Sequence, residues 1–149
     1  MVATLHSPMR FIIRSDFAEG RAVQQRILDE VARHTYCEDA TFAISLALEE
    51  ALINAIKHGN KFDHAKVVRV QASVTPQQTE IIIEDEGPGF QRSNVPDPTT
   101  DENIERLHGR GILLMEAYMD EIEWASGGRQ VRMVRKNTPV STSNKGSAS

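Results

Sequence analysis

The chain has 149 residues, a formal net charge of -4, 40% hydrophobic residues and 26% charged residues. That size suits one domain with a real core, and the charge supplies no strong positive field for holding nucleic acid. Cys37 is the only cysteine, which excludes an internal disulfide and a cysteine zinc cluster.

Met9 to Arg14 reads as a short strand. Its apolar run, Phe11-Ile12-Ile13, is too short for a signal peptide or a bilayer span, so the expectation is a cytoplasmic domain with no membrane contact. Ser15 or Asp16 can cap a helix over residues 18–34, with Ala22, Ile27 and Val31 on one side and Arg21, Gln25 and Glu30 outside. After a turn at Cys37-Glu38-Asp39, a second helix is expected from about Ala40 to His58, stopped by Gly59-Asn60. Strands follow at Val67–Val74 and Thr79–Asp85, joined through Pro76-Gln77-Gln78. Residues 86–108 carry two glycines and three prolines and read as a long lid-like loop. A helix from Ile112 to Met119 and strands at Glu121–Ala125 and Gln130–Lys136 complete the order.

The clustered hairpins predict an α+β, two-layer α/β sandwich: a mixed, mostly antiparallel sheet covered on one face by helices, not a doubly wound sheet. Residues 1–136 are expected to form a single domain. Residues 137–149, with four serines and no aromatic, are expected to form a disordered tail.

Three segments carry chemistry. Between Ala43 and Ile56 the polar residues are Ser45, Glu49, Glu50 and Asn54. At helical spacing, Glu50, Asn54, Lys57 and His58 form one stripe, opposite Ile44, Leu48, Leu52 and Ala55. Such a stripe is either a solvent face or a working one. The Asn54 amide oxygen suits Mg²⁺ that keeps waters and phosphate oxygens, and Glu50 suits proton acceptance from a hydroxyl. Second, Ile81-Ile82-Ile83 runs into Glu84-Asp85-Glu86-Gly87-Pro88-Gly89-Phe90. The glycines serve a plain turn or admit a flat ligand, from whose exocyclic amine Asp85 can accept a hydrogen bond. Third, His108-Gly109-Arg110-Gly111 opens a helix, either as a simple junction or as a phosphate site with exposed N–H groups. No Walker A loop, zinc helix motif or nucleophile elbow is present, and His6, His34, His58, His64 and His108 lack ligand spacing.

Together the three segments resemble the ATP-binding domain of the GHKL (Bergerat-fold) superfamily. Glu50-Ala51-Leu52-Ile53-Asn54-Ala55-Ile56-Lys57-His58 looks like its N box. Asp85-Glu86-Gly87-Pro88-Gly89-Phe90 looks like the first glycine box and Gly109-Arg110-Gly111-Ile112 like the second. Within the superfamily, Leu48-Glu49-Glu50-Ala51-Leu52-Ile53-Asn54-Ala55 and the closing glycine-pair strand resemble the anti-sigma-factor serine/threonine kinases.

The resemblance implies ATP and Mg²⁺ as cofactors. It makes Glu50 the catalytic base, Asn54 the metal ligand and Asp85 the adenine reader. Gly87 and Gly89 would shape the adenine pocket, with Gly109, Arg110 and Gly111 at the phosphates and Lys57 a further phosphate candidate. It also implies phosphorylation of a STAS-type anti-anti-sigma partner, sequestration of a sigma factor and a homodimer. The alternatives are an ATP-binding partner-switch module without transfer, or a detached histidine-kinase-like catalytic domain. One position departs from the pattern: where members of the group often carry threonine after the glycine pair, this chain has Arg129 and Gln130.

Overall fold

The computed structural model describes residues 8–89 and 109–139. In chain order they form β1 (Met9–Arg14), α1 (Phe17–Arg33), α2 (Glu38–Ile53), a π-helical turn (Asn54–Gly59), β2 (Val67–Val74) and β3 (Gln78–Glu84). Then come α3 (Gly109–Tyr118), β4 (Glu121–Ala125), a 3₁₀ turn (Ser126–Gly128) and β5 (Gln130–Lys136). The five strands lie in the order β1-β2-β3-β5-β4. Every pairing is antiparallel, so the sheet is antiparallel throughout and not mixed as expected; the two hairpins, the return of β5 alongside β3 and the return of β2 alongside β1 after the helices set the directions.

Strand patterning puts one face of the sheet in the core. Val68, Val70, Ala72 and Val74 of β2 and Thr79, Ile81 and Ile83 of β3 alternate inward. They meet Ile44 and Leu48 of α2, Ile27 and Val31 of α1, and Met115 of α3 in one cluster. Full burial of each large aliphatic side chain is worth about 1.5–3 kcal/mol, so β3 and α2 carry much of the stability. α2 is buried almost all round because it packs on α1, α3 and the sheet together.

The edges of the elements refine the expectations. Asp16, not Ser15, caps α1 by accepting from Ala18 N at 2.9 Å. Ser15 is buried and donates to Lys66 O. The inward row of α1 is Gly20, Val23, Ile27 and Val31, while Ala22 is exposed; it lies one residue, hence a quarter-turn, off that row. β3 starts at Gln78 and α3 starts at Gly109, so the glycines expected before that helix form its first turn. Residues 90–108 and 140–149 lie outside the described residues, and with them most of the expected lid and tail. Asn137 is tied into the fold, accepting from Cys37 N and donating from its backbone to Gln77 O.

The strand order matters for function. After β3 the chain crosses to α3 and the outer strand β4, then turns inward to β5 beside β3. The end of β3 and the start of β5 are thereby adjacent, with Asp85 N donating to Arg129 O at 3.0 Å.

Candidate functional site

A cleft opens between the end of α2, the turn after β3 and the β4–β5 turn. Ala51 and Ala55 of the helical side and Ile83 and Val131 of the sheet give it apolar walls. Asn54, His58, Asp85 and Arg129 are its polar groups, and Gly59, Pro88, Gly89, Trp124 and Gly128 complete the lining.

Asp85 stands at the sheet end. Its Oδ1 accepts from Gly87 N at 2.8 Å, which aims the carboxylate, while Oδ2 has no hydrogen-bond partner among the described residues. Burial raises its pKa above the ordinary carboxylate value, opposed by the Gly87 N–H and by the positive charges of Arg129 and Lys66. The carboxylate lies flat against Gly59: a Cβ there would come within 2.5 Å of it. Gly87 in turn packs on Gly59, where an added Cβ would stand 2.0 Å from the Gly59 carbonyl oxygen. Gly89 adopts a left-handed φ of 78° beneath Gly127. These three glycines are what lets turn, helix end and hairpin close on one another.

A buried asparagine holds this arrangement. The Asn60 side chain, 1% exposed, donates to Ser15 Oγ and Val67 O and accepts from Glu86 N at 2.8 Å. Glu86 completes the clamp by accepting from Val67 N and Arg69.

The second group lies one helical turn deeper along α2. Glu50 Oε1 would be 2.6 Å, and Asn54 Oδ1 3.8 Å, from a Cβ placed on Gly111. Both side-chain oxygens thus face the first turn of α3, whose backbone leaves space only because Gly111 has no side chain. Burial, reinforced by Glu49, raises the pKa of Glu50, and its carboxylate makes no hydrogen bond among the described residues. Asn54 Nδ2 is buried and has no hydrogen-bond partner among the described residues, an unusual state for an amide and one that a ligand can relieve.

A magnesium nucleotide fits these residues. Asn54 offers one neutral oxygen, Gly111 leaves the room, and no three His, Cys, Asp or Glu side chains converge among the described residues. A metal here would draw its other ligands from water and phosphate, as Mg²⁺ does.

The structure therefore brings Asn54, Asp85 and Gly89 into one cleft, with Gly87 behind Asp85 and with Glu50 and Gly111 at the helical end. Lys57 is exposed and does not line the cleft. The wider π turn keeps His58 on the cleft side and turns Lys57 away. Gly109 lies in the first turn of α3, and the role expected of Arg110 rests on a side chain outside the described set. Sequence reasoning placed His58 on the polar stripe and noted Arg129 as a departure without giving either a role, and it missed Gly59 and Trp124 as lining residues and Asn60 as the clamp. Gly59-Asn60 was legible only as a helix stop, because its other work depends on contacts with β2 and the turn after β3.

The family model described as a histidine kinase-like ATPase domain matches residues 13–135. The chain belongs to this family. An anti-sigma F factor from Clostridium perfringens is 37% identical over 83 residues, covering 54% of this chain and 59% of that protein. A serine-protein kinase RsbW from Bacillus subtilis is 30% identical over 97 residues, covering 61% of each. The chain thus spans about three fifths of the length of these curated relatives. The crystal structure of RsbU and RsbW domains from Mycobacterium tuberculosis superposes with a TM-score of 0.60 at 17% identity, covering 89% of this chain and 33% of that one. That likeness establishes the two-layer GHKL-type fold. Among the described residues, no helix is long and apolar enough to cross a membrane.

Proposed function

We propose that this histidine kinase-like ATPase domain binds ATP with Mg²⁺ and transfers the γ-phosphoryl group to a serine hydroxyl of a partner protein. The observation that carries the proposal is the placement of Glu50 and Asn54 against the side-chain-free start of α3, with Asp85 at the far end of the adjoining cleft. Asp85 accepts from the adenine amine, and the apolar walls around Ala51, Ala55 and Ile83 hold the base. Asn54 is the protein ligand for Mg²⁺, which when bound neutralises charge on the phosphates. The N–H groups opening α3 face the phosphates.

Glu50 takes the proton of the attacking serine as the new O–P bond forms. The bond from the γ-phosphorus to the β,γ-bridging oxygen breaks, and ADP carries away the electron pair. Partial burial of Glu50 raises its proton affinity, which favours a base over an inert surface carboxylate. The names of the relatives, anti-sigma F factor and serine-protein kinase, support an anti-anti-sigma protein as the partner whose serine accepts the phosphate, and the family resemblance makes that partner STAS-type. The anti-sigma name equally supports a sigma factor as a second partner; its capture by a homodimer of this chain rests on the resemblance to the anti-sigma-factor kinases. A cytoplasmic setting accords with such partners.

Calorimetric titration with ATP tests the site: Asp85→Asn is expected to abolish binding and Asn54→Ala to abolish its Mg²⁺ dependence. Glu50→Gln is expected to bind ATP normally and to transfer no phosphate to the partner. A folded wild-type chain that binds neither ATP nor ADP overturns the proposal. Binding without transfer, with the partner present, leaves a partner-switch module.

A further inference from the structure

Arg129 departs from the threonine pattern, and its surroundings give it a task. Arg14, Arg69, Arg132 and Arg135 each lie within ion-pair distance of a carboxylate. Among the described residues Arg129 does not, although Asp85 directly follows β3 and their backbones are hydrogen-bonded. Its guanidinium makes no hydrogen bond or ion pair among the described residues. The stem of the side chain crosses the glycine turn, with Cγ 3.2 Å from where a Cβ on Gly89 would stand. Half-buried, it lines the same cleft as Asp85. One end of the cleft thus carries an acceptor-only group with a free oxygen and a donor-only group with free N–H bonds, side by side and not paired with each other.

That pattern complements adenine. The base presents an amine donor, and the ring nitrogens beside it are acceptors. A carboxylate satisfies the amine and leaves the ring acceptor without a donor; a guanidinium supplies one. We propose that Arg129 is a specificity-determining residue of the nucleotide cleft, donating to the ring nitrogen next to the amine that Asp85 takes. This rests on the cleft being an ATP site. A threonine hydroxyl is shorter and neutral; arginine reaches further, makes a charge-assisted bond and keeps opposite charge near the partly buried Asp85. The residue that breaks the family pattern therefore serves the same end of the ligand by different chemistry.

The test is calorimetric titration of wild type, Arg129→Ala and Arg129→Gln with ATP, 1-deaza-ATP and 7-deaza-ATP, each analogue replacing one ring acceptor by C–H. Thermal melts check that the variants fold. Arg129→Ala is expected to weaken ATP binding roughly tenfold, with Arg129→Gln, which keeps an N–H donor, intermediate. One analogue should lose a similar factor on wild type and no further factor on Arg129→Ala, because the bond is already gone. The proposal is overturned if Arg129→Ala binds ATP as wild type does, or if both analogues lose the same factors on wild type and variant. It is also overturned if both analogues bind wild type as tightly as ATP. Absence of ATP binding by wild type overturns the nucleotide site itself, a result visible before any variant is made.

Discussion

Gly59→Ala separates the adenine-reading role of Asp85 from ordinary packing. Gly59 has no left-handed φ, so its backbone accepts alanine, and helix propensity alone would favour the change by up to about 1 kcal/mol. The new methyl, however, would stand 2.5 Å from the Asp85 carboxylate, and an ordinary contact begins at 3.4 Å, so the carboxylate must retreat by about 0.9 Å. Overpacking of this size costs roughly 1–3 kcal/mol, leaving a net destabilisation of about 0–2 kcal/mol. The retreat strains the 2.8 Å bond from Gly87 N and moves Oδ2 off its aim. A charged hydrogen bond contributes about 1.5–3 kcal/mol, so ATP affinity should fall roughly 10- to 100-fold while the domain still folds. Urea melts give the first quantity and calorimetric titration the second. A stable Gly59→Ala chain that binds ATP with wild-type affinity would refute the assignment of Asp85 as the base reader.

The remaining predictions distinguish frame from site. Gly127→Ala meets nothing within 4 Å but sits at φ 68°, so it should cost about 1 kcal/mol of stability by urea melt and leave ATP affinity unchanged. Gly87→Ala would press a methyl to 2.0 Å from the Gly59 backbone oxygen, which cannot swing aside; a loss of about 3 kcal/mol or more is expected in the same assay. Asn60→Ala removes one buried and two part-buried hydrogen bonds, including those to Glu86 N and Val67 O, and should cost about 3 kcal/mol with looser nucleotide binding. His58 has its pKa lowered by burial, then by Lys57 and Lys61, so near its ordinary value of 6.5 the unfolded chain binds more protons. Stability should therefore fall as pH drops through that value, and His58→Gln should flatten the slope of the urea midpoint against pH.

Periodicity and punctuation made the elements readable before any coordinates. The alternation Val68-Val70-Ala72-Val74 marks β2 as a half-buried strand, and the glycine pair in Ser126-Gly127-Gly128 separates two short strands whose bounds match those observed. The nearly continuous apolar surface of α2 announced a helix packed on several sides, and its few polar residues announced where chemistry can sit. Ala22 against Val23 was not readable, because both are apolar and only the approach angle of α1 to the sheet selects between them.

The sequence alone determined the two-layer architecture, the polar positions of α2 and the carboxylate before the glycine turn, because these follow from local patterns of burial and turn chemistry. Only the tertiary structure decided that Gly59 is shaped by Asp85 rather than by the end of its helix, that Asn60 locks three segments, that the π turn sends Lys57 outward, and that Arg129 stands beside Asp85. Each of those depends on residues distant in the chain arriving within a few ångströms of one another, and proximity of that kind is set by strand order and helix packing, which leave no local mark in the sequence.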